Sequence, residues 1–104
     1  MEIEFSDKKL EKILTNDRLM RRAYGKFYHN LKNRLSELIA ANHLEMIPTS
    51  PPPRRHKLSP NQMGYWGICV SENYRIIIEA IGDFNPNDLK TIKQIIIIRI
   101  EDYH

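Results

Sequence analysis

A chain of 104 residues and 12.3 kDa can enclose one hydrophobic core but not two, so residues 1–104 read as a single domain. Hydrophobic residues at 41% and charged residues at 28% exclude wholesale disorder, apolar runs of at most four residues exclude a transmembrane helix, and a lone cysteine, Cys69, excludes an internal disulfide or a cysteine-cluster zinc site. The net charge of +3 is uneven: residues 1–57 carry twelve basic and seven acidic side chains (+5) and residues 58–104 four and six (−2), which suggests a polyanionic or acidic partner.

The acidic start Met1-Glu2-Ile3-Glu4 runs straight into a strand-like segment and does not read as a signal peptide, so a cytoplasmic location is expected. Residues 2–5 predict a short strand with Ile3 and Phe5 on one face. Ser6 sits where an N-cap would, ahead of a first helix over residues 7–14 with Leu10, Ile13 and Leu14 at helical spacing. Asn16 or Asp17 can cap a longer helix reaching about Ala41. Its apolar stripe is Leu19, Ala23, Phe27, Leu31, Leu35 and Leu38, and Gly25 is the point for a kink or break. Arg18, Arg21, Arg22, Lys26, Lys32 and Arg34 fall mostly off that stripe, as a solvated face or a partner-binding one.

Pro51-Pro52-Pro53 deny helix and central strand, and predict an extended polyproline crossover; recognition by a proline-binding module is the lesser reading. Beyond it the apolar period changes from 3.6 to 2. Residues 54–58 read as a short strand, 59–64 as a turn, and 65–70 as a strand with Trp66, Ile68 and Val70 on one face. Ser71-Glu72-Asn73 turns into a return strand over 74–81, residues 83–90 form a polar loop, and 94–103 are a buried strand. Alternation along this last strand places Ile96, Ile98, Ile100, Asp102 and His104 on one face, and Arg99, Glu101 and Tyr103 on the other. The order β-α-α-β-β-β-β is α+β, with two N-terminal helices on one face of a small, mostly antiparallel twisted sheet.

Three places could carry chemistry. Asp102-Tyr103-His104 follows a buried strand, where a rigid scaffold can position titratable groups, although a frayed polar terminus has the same composition. His56 lies in Arg54-Arg55-His56-Lys57, where neighbouring cations suit an imidazole to accepting a proton; a plain surface histidine is the alternative. Arg75 sits among isoleucines and needs either a carboxylate such as Asp102 or Glu101, or a phosphate. Cys69 reads as an inert core thiol. No phosphate-cradling glycine loop, zinc-ligand spacing or nucleophile elbow is present, and neither metal nor cofactor is expected. Histidines, a carboxylate, a tyrosine and several cations suit metal-independent RNA cleavage, in which a ribose 2′-OH attacks the adjacent phosphorus.

Gly64-Tyr65-Trp66-Gly67-Ile68-Cys69-Val70, Asn73-Tyr74-Arg75-Ile76, His56-Lys57-Leu58 and Asp102-Tyr103-His104, in this order, resemble the HigB-type killer proteins of the RelE/ParE toxin superfamily, across essentially the whole chain. The resemblance implies a RelE-like microbial RNase fold and the toxin of a type II toxin–antitoxin system. Such a toxin cleaves messenger RNA in the A site of the small ribosomal subunit. It also implies His56, Asp102, Tyr103 and His104 as catalytic residues, and Arg75 and Lys57, with Arg54 and Arg55 beside them, as phosphate- and RNA-binding ones. The implied partners are a helix-turn-helix antitoxin, messenger RNA and ribosomal RNA, with no membrane. The alternative on the same fold is a non-enzymatic inhibitor of DNA gyrase like the ParE branch. The linker through Pro51-Pro52-Pro53 and the loop over residues 82–91 depart from the family pattern.

Overall fold

Asp7, one residue after the predicted cap, starts the first helix. Its carboxylate accepts the backbone N–H of Leu10 at 2.7 Å and caps α1 (Lys8–Leu14). Ser6 does something else. It follows β1 (Glu2–Phe5), and its hydroxyl and backbone N–H donate to the carbonyls of Ile98 and Ile97 at 2.6 and 3.0 Å, tying this corner to the last strand. The computed structural model describes residues 1–58 and 64–103, so the predicted turn over 59–64 and the terminal His104 fall largely or wholly outside the described residues.

Asn16 caps α2 (Asp17–Tyr24), accepting from the N–H of Leu19 at 3.1 Å. The long helix then breaks where Gly25 predicted: Gly25–Phe27 form one 3₁₀ turn before α3 (Tyr28–Ala40) resumes. The turn shifts the phase of the apolar stripe. Met20, Tyr28, Leu31, Leu35 and Leu38 are buried, Ala23 is exposed, and Leu19 and Phe27 are half-buried. Arg34, expected off the stripe, is 7% exposed and pairs with Glu37 at 2.8 Å. Phe27 stacks on Tyr74 with ring centroids 4.3 Å apart, which anchors the break against the sheet.

The three prolines do not extend. They form a turn with a cis Pro51-Pro52 bond, and its carbonyls are served by donors from non-proline neighbours. Arg54 N–H donates to Ser50 at 3.1 Å, Arg55 N–H to Pro48 at 3.0 Å, and Cys69 N–H to Pro53 at 2.7 Å. The turn therefore borrows hydrogen bonds from both sides, and only His56–Lys57 remain as β2 of the strand expected over 54–58.

With β3 (Tyr65–Cys69), β4 (Tyr74–Ala80) and β5 (Gln94–Asp102), the sheet runs in the order β1-β5-β4-β3-β2. Among the described residues only the β1–β5 pair is parallel, so the α+β, mostly antiparallel reading holds. Leu31, Leu38, Trp66, Ile76, Ile78, Ile95 and Ile97 share one buried cluster between helices and sheet. A bulge interrupts the β4–β5 ladder: Ile78 faces Ile97 but Ile77 faces Arg99, leaving Ile98 as the extra residue. One extra residue inverts the alternation. Ile95 and Ile97 point to the helix side before the bulge, and Ile100 joins that cluster after it. The single predicted face Ile96-Ile98-Ile100 is thereby split.

Replacing Leu38, fully buried at the centre of this cluster, by alanine is expected to cost about 2–5 kcal/mol in urea denaturation, with an unchanged slope. A second expectation concerns acid. Asp17 accepts from Tyr28 Oη and, at 3.0 Å, from Lys32 Nζ; these bonds and the lysine's charge lower its pKa from 3.8 to about 2. A carboxylate with a depressed folded pKa stabilises the fold above pH 3.8 and stops doing so as pH falls towards 2. Denaturation midpoints measured from pH 5 to pH 2 should fall less steeply in Asp17→Asn than in the parent.

Candidate functional site

The sheet face turned away from the helices carries the polar residues. Cross-strand pairing aligns His56 with Gly67 and Ile77 with Arg99 in one row, and Cys69, Arg75 and Glu101 in the next. Tyr103, just past β5, is held there by its N–H donating to the carbonyl of Asn73 at 2.9 Å.

Arg75 is the hub of this face. Its Nε donates to Glu101 Oε2 at 2.8 Å, its Nη2 forms an ion-pair contact with the same oxygen at 2.7 Å, and its Nη1 lies 3.2 Å from His56 Nε2. Its Cζ stands over the Tyr103 ring, 4.6 Å from the ring centre. Glu101 in turn presents Oε1 to Arg99, whose Nε and Nη2 donate at 3.1 and 2.8 Å. Burial opposes the charge on Glu101, yet the hydrogen bonds and charges of Arg99 and Arg75 prevail and hold it below the usual carboxylate range.

His56 is oriented from behind. Its Nδ1 lies 2.8 Å from the carbonyl of Arg54, which can only accept, so Nδ1 carries the proton and Nε2 offers its lone pair to Arg75 Nη1. Arg54 holds φ at 44°, a left-handed value uncommon for a residue with a side chain, and this aims its carbonyl at the ring. Gly67 makes the approach possible. A Cβ at this position would stand 2.7 Å from His56 Nε2 and 3.3 Å from Arg75 Cδ, so only a glycine lets the imidazole lie flat across β3.

Tyr103 and Cys69 complete the cluster, with Oη and Sγ 3.9 Å apart. Burial and then the thiol raise the Tyr103 pKa, outweighing the opposite pull of Arg54 and Arg75, so the phenol keeps its proton and can donate it. Cys69 is buried, but it belongs to this face and not to the helix-side core that its apolar neighbours suggested.

The sequence-predicted residues divide. His56, Arg75 and Tyr103 come together, with Arg54 close enough for its charge to act on Tyr103. Lys57 stands opposite Trp66, in a row of the helix-facing side, so strand alternation carries it away from His56. Arg55 is held by structure: its Nε donates to the carbonyl of Ile47 at 2.8 Å, and burial lowers its pKa. Asp102 stands opposite Tyr74, on the face opposite Glu101. Of the two readings of Arg75, the ion pair is the one present, and Glu101 is its partner. His104 lies outside the described residues. Glu101 is predicted only as one of two possible partners of Arg75, with alternation placing it beside Tyr103, and Gly67 is not among the predicted site residues, since nothing local marks it. Among the described residues, no group of three or more His, Cys, Asp or Glu is placed to hold a metal ion.

Gly67→Ala should push the His56 ring off Arg75 while leaving the helix-side core intact. The expected result is shifted His56 imidazole resonances in NMR, with unchanged far-ultraviolet circular dichroism.

Residues 3–91 match the family of HigB-like toxins, described as the RelE-like toxin of the type II toxin–antitoxin system HigB; Glu101 and Tyr103 lie beyond the matched residues. No curated protein matches the chain. Among solved structures, the fold resembles a YoeB/ParE toxin from Agrobacterium tumefaciens, with a TM-score of 0.61 at 10% identity over 100% of both chains. It also resembles a chain of the E. coli DinJ-YafQ complex, with a TM-score of 0.60 at 19% identity over 97% of this chain and 91% of that one. No helix is long and apolar enough to cross a membrane among the described residues. A family match over most of the chain, on this sheet and these helices, makes the protein a member of the HigB-like, RelE-like toxins of type II toxin–antitoxin systems.

Proposed function

We propose that this toxin is an endoribonuclease that cleaves messenger RNA in the ribosomal A site, in the cytoplasm, and so arrests translation. The observation that carries the reading is the contact of Arg75 with His56 on one side and Tyr103 on the other, on a sheet face free of helices. RNA supplies its own nucleophile. A base takes the proton from the 2′-oxygen, that oxygen bonds to the neighbouring phosphorus, and the bond to the 5′-oxygen breaks as an acid protonates it. A 2′,3′-cyclic phosphate and a free 5′-hydroxyl result, and DNA, lacking the 2′-OH, is spared.

In this reading His56 and His104 are the proton-transfer pair. Nε2 of His56 already presents a lone pair, once Arg75 turns towards phosphate. Arg75 stabilises charge growing on the phosphoryl oxygens, and Tyr103 donates to the phosphate or stacks on a base. Asp102 is assigned to orienting His104, its near neighbour in sequence, since it faces away from His56. The exposed Arg18, Arg22 and Lys26 on α2 and the turn after it offer an electrostatic footing for ribosomal RNA. An antitoxin partner fits both the family and the E. coli neighbour, solved as a complex. The resemblance to HigB-type toxins implies that it is a small helix-turn-helix protein.

Purified toxin added to translating ribosomes tests the proposal. His56→Ala, His104→Ala and Arg75→Ala should each cut messenger RNA on the order of 10²–10⁴-fold more slowly than the parent, and a 2′-deoxy substitution at the cleaved nucleotide should block cutting. Parent-like cutting by both histidine variants would remove the proposed acid–base pair. Intact messenger RNA together with relaxed DNA in arrested cells would instead establish the gyrase-inhibitor alternative.

A further inference from the structure

The Nε/Nη2 edge of Arg75 is taken by Glu101, and its Nη1 is engaged by His56. Nε donates to Glu101 Oε2, Nη2 lies against the same oxygen, and Cζ stands over the Tyr103 ring. A phosphate therefore cannot take the Nε/Nη2 fork of this arginine until its occupant, the carboxylate of Glu101, leaves. Carboxylate and phosphate oxygens take the same planar arginine fork. Leaving is ordinarily costly for a buried charge, because its hydrogen bonds are lost with nothing to replace them. Glu101 is different. Its side chain is only 22% exposed, but its second oxygen already has two hydrogen bonds from Arg99, which is 50% exposed and reaches in from the solvent side.

The geometry points to Glu101 as a tethered stand-in for the substrate phosphate: it occupies and aligns Arg75 in the resting toxin, and is displaced onto Arg99 when a phosphoryl group arrives. This rests on the reading of Arg75 as the group that meets the scissile phosphate. Glu101 is then a positioning residue acting through Arg75. The arrangement has two consequences. In the resting state the arginine is held in line with His56 Nε2 and the Tyr103 ring, so its side chain is already ordered when substrate binds. Anions too weak to displace the carboxylate are refused, and this favours a phosphodiester chain that is held elsewhere as well.

Binding of sulfate alone, a tetrahedral dianion across neutral pH, measures the exchange without RNA or ribosomes. Titration calorimetry, with the Arg75 Nε–H resonance followed in parallel, should show Glu101→Gln binding sulfate about tenfold more tightly than the parent. Adding Arg75→Ala to that variant should abolish the gain. Glu101→Asp keeps the charge on a shorter arm, loosens the clasp and should bind with intermediate affinity; it also decides the matter if Glu101→Gln does not fold. A purely structural ion pair would lose stability on substitution without gaining anion affinity. Sulfate affinity equal to or below the parent's in the folded variant, or a gain that survives Arg75→Ala, overturns the proposal. Tighter sulfate binding in a toxin that cuts no RNA would retire the nuclease reading and keep the exchange. Ribosomal cutting without any sulfate gain would do the reverse.

Discussion

One guanidinium organises the functional face. Arg75 has five donors and a flat surface, and a half-buried position on a central strand obliges it to satisfy them. It engages a carboxylate from β5, an imidazole from β2 and an aromatic ring just beyond β5, so that His56 meets a pair of residues from the far end of the chain. The same requirement that stabilises the strand pair thus gathers the chemistry. A lysine could not replace it: a single ammonium has neither the fork for Glu101 nor the plane for Tyr103.

Two backbone features make the gathering possible, and neither is itself polar. Gly67 leaves a side-chain-sized gap on β3, and His56 fills it from the neighbouring strand. The bulge at Ile98 inverts the alternation of β5 midway. Without it, a strand that buries Ile95 and Ile97 would also turn Arg99 and Glu101 into the apolar core. With it, isoleucines before and after the bulge stay with the helices, and the two charged residues face Arg75. Ser6 supports the irregularity by donating its hydroxyl to the carbonyl of Ile98, a link between the two ends of the chain.

Relatives at 10% and 19% identity share this architecture. That tolerance fits where the specificity of the fold resides. The helix-side cluster asks for apolar residues of suitable volume at alternating positions, a demand many sequences meet. The opposite face asks for a particular glycine, arginine, histidine and tyrosine in register. Fold and site therefore place unequal constraints on the chain, and the match of residues 3–91 to the HigB-like family ends before β5, which supplies both core isoleucines and Glu101.

The local sequence revealed the element order, a kink or break at Gly25, a cap at Asn16 or Asp17 and the hairpin of β3 and β4, because each is decided by residues within a few positions of one another. It also separated Glu101 and Tyr103 from Asp102, since strand alternation is a local rule. Tertiary structure alone decided the rest. The bulge that moved Ile96 and Ile98 off the predicted face arises between two strands. The turn made by Pro51-Pro52-Pro53 depends on a donor from Cys69, and Arg55 is occupied by the carbonyl of Ile47. The choice of Glu101 as the partner of Arg75, and the place for His56 over Gly67, likewise depend on pairing register. Register is set by how the whole sheet buries its apolar face, so no short window of sequence contains it.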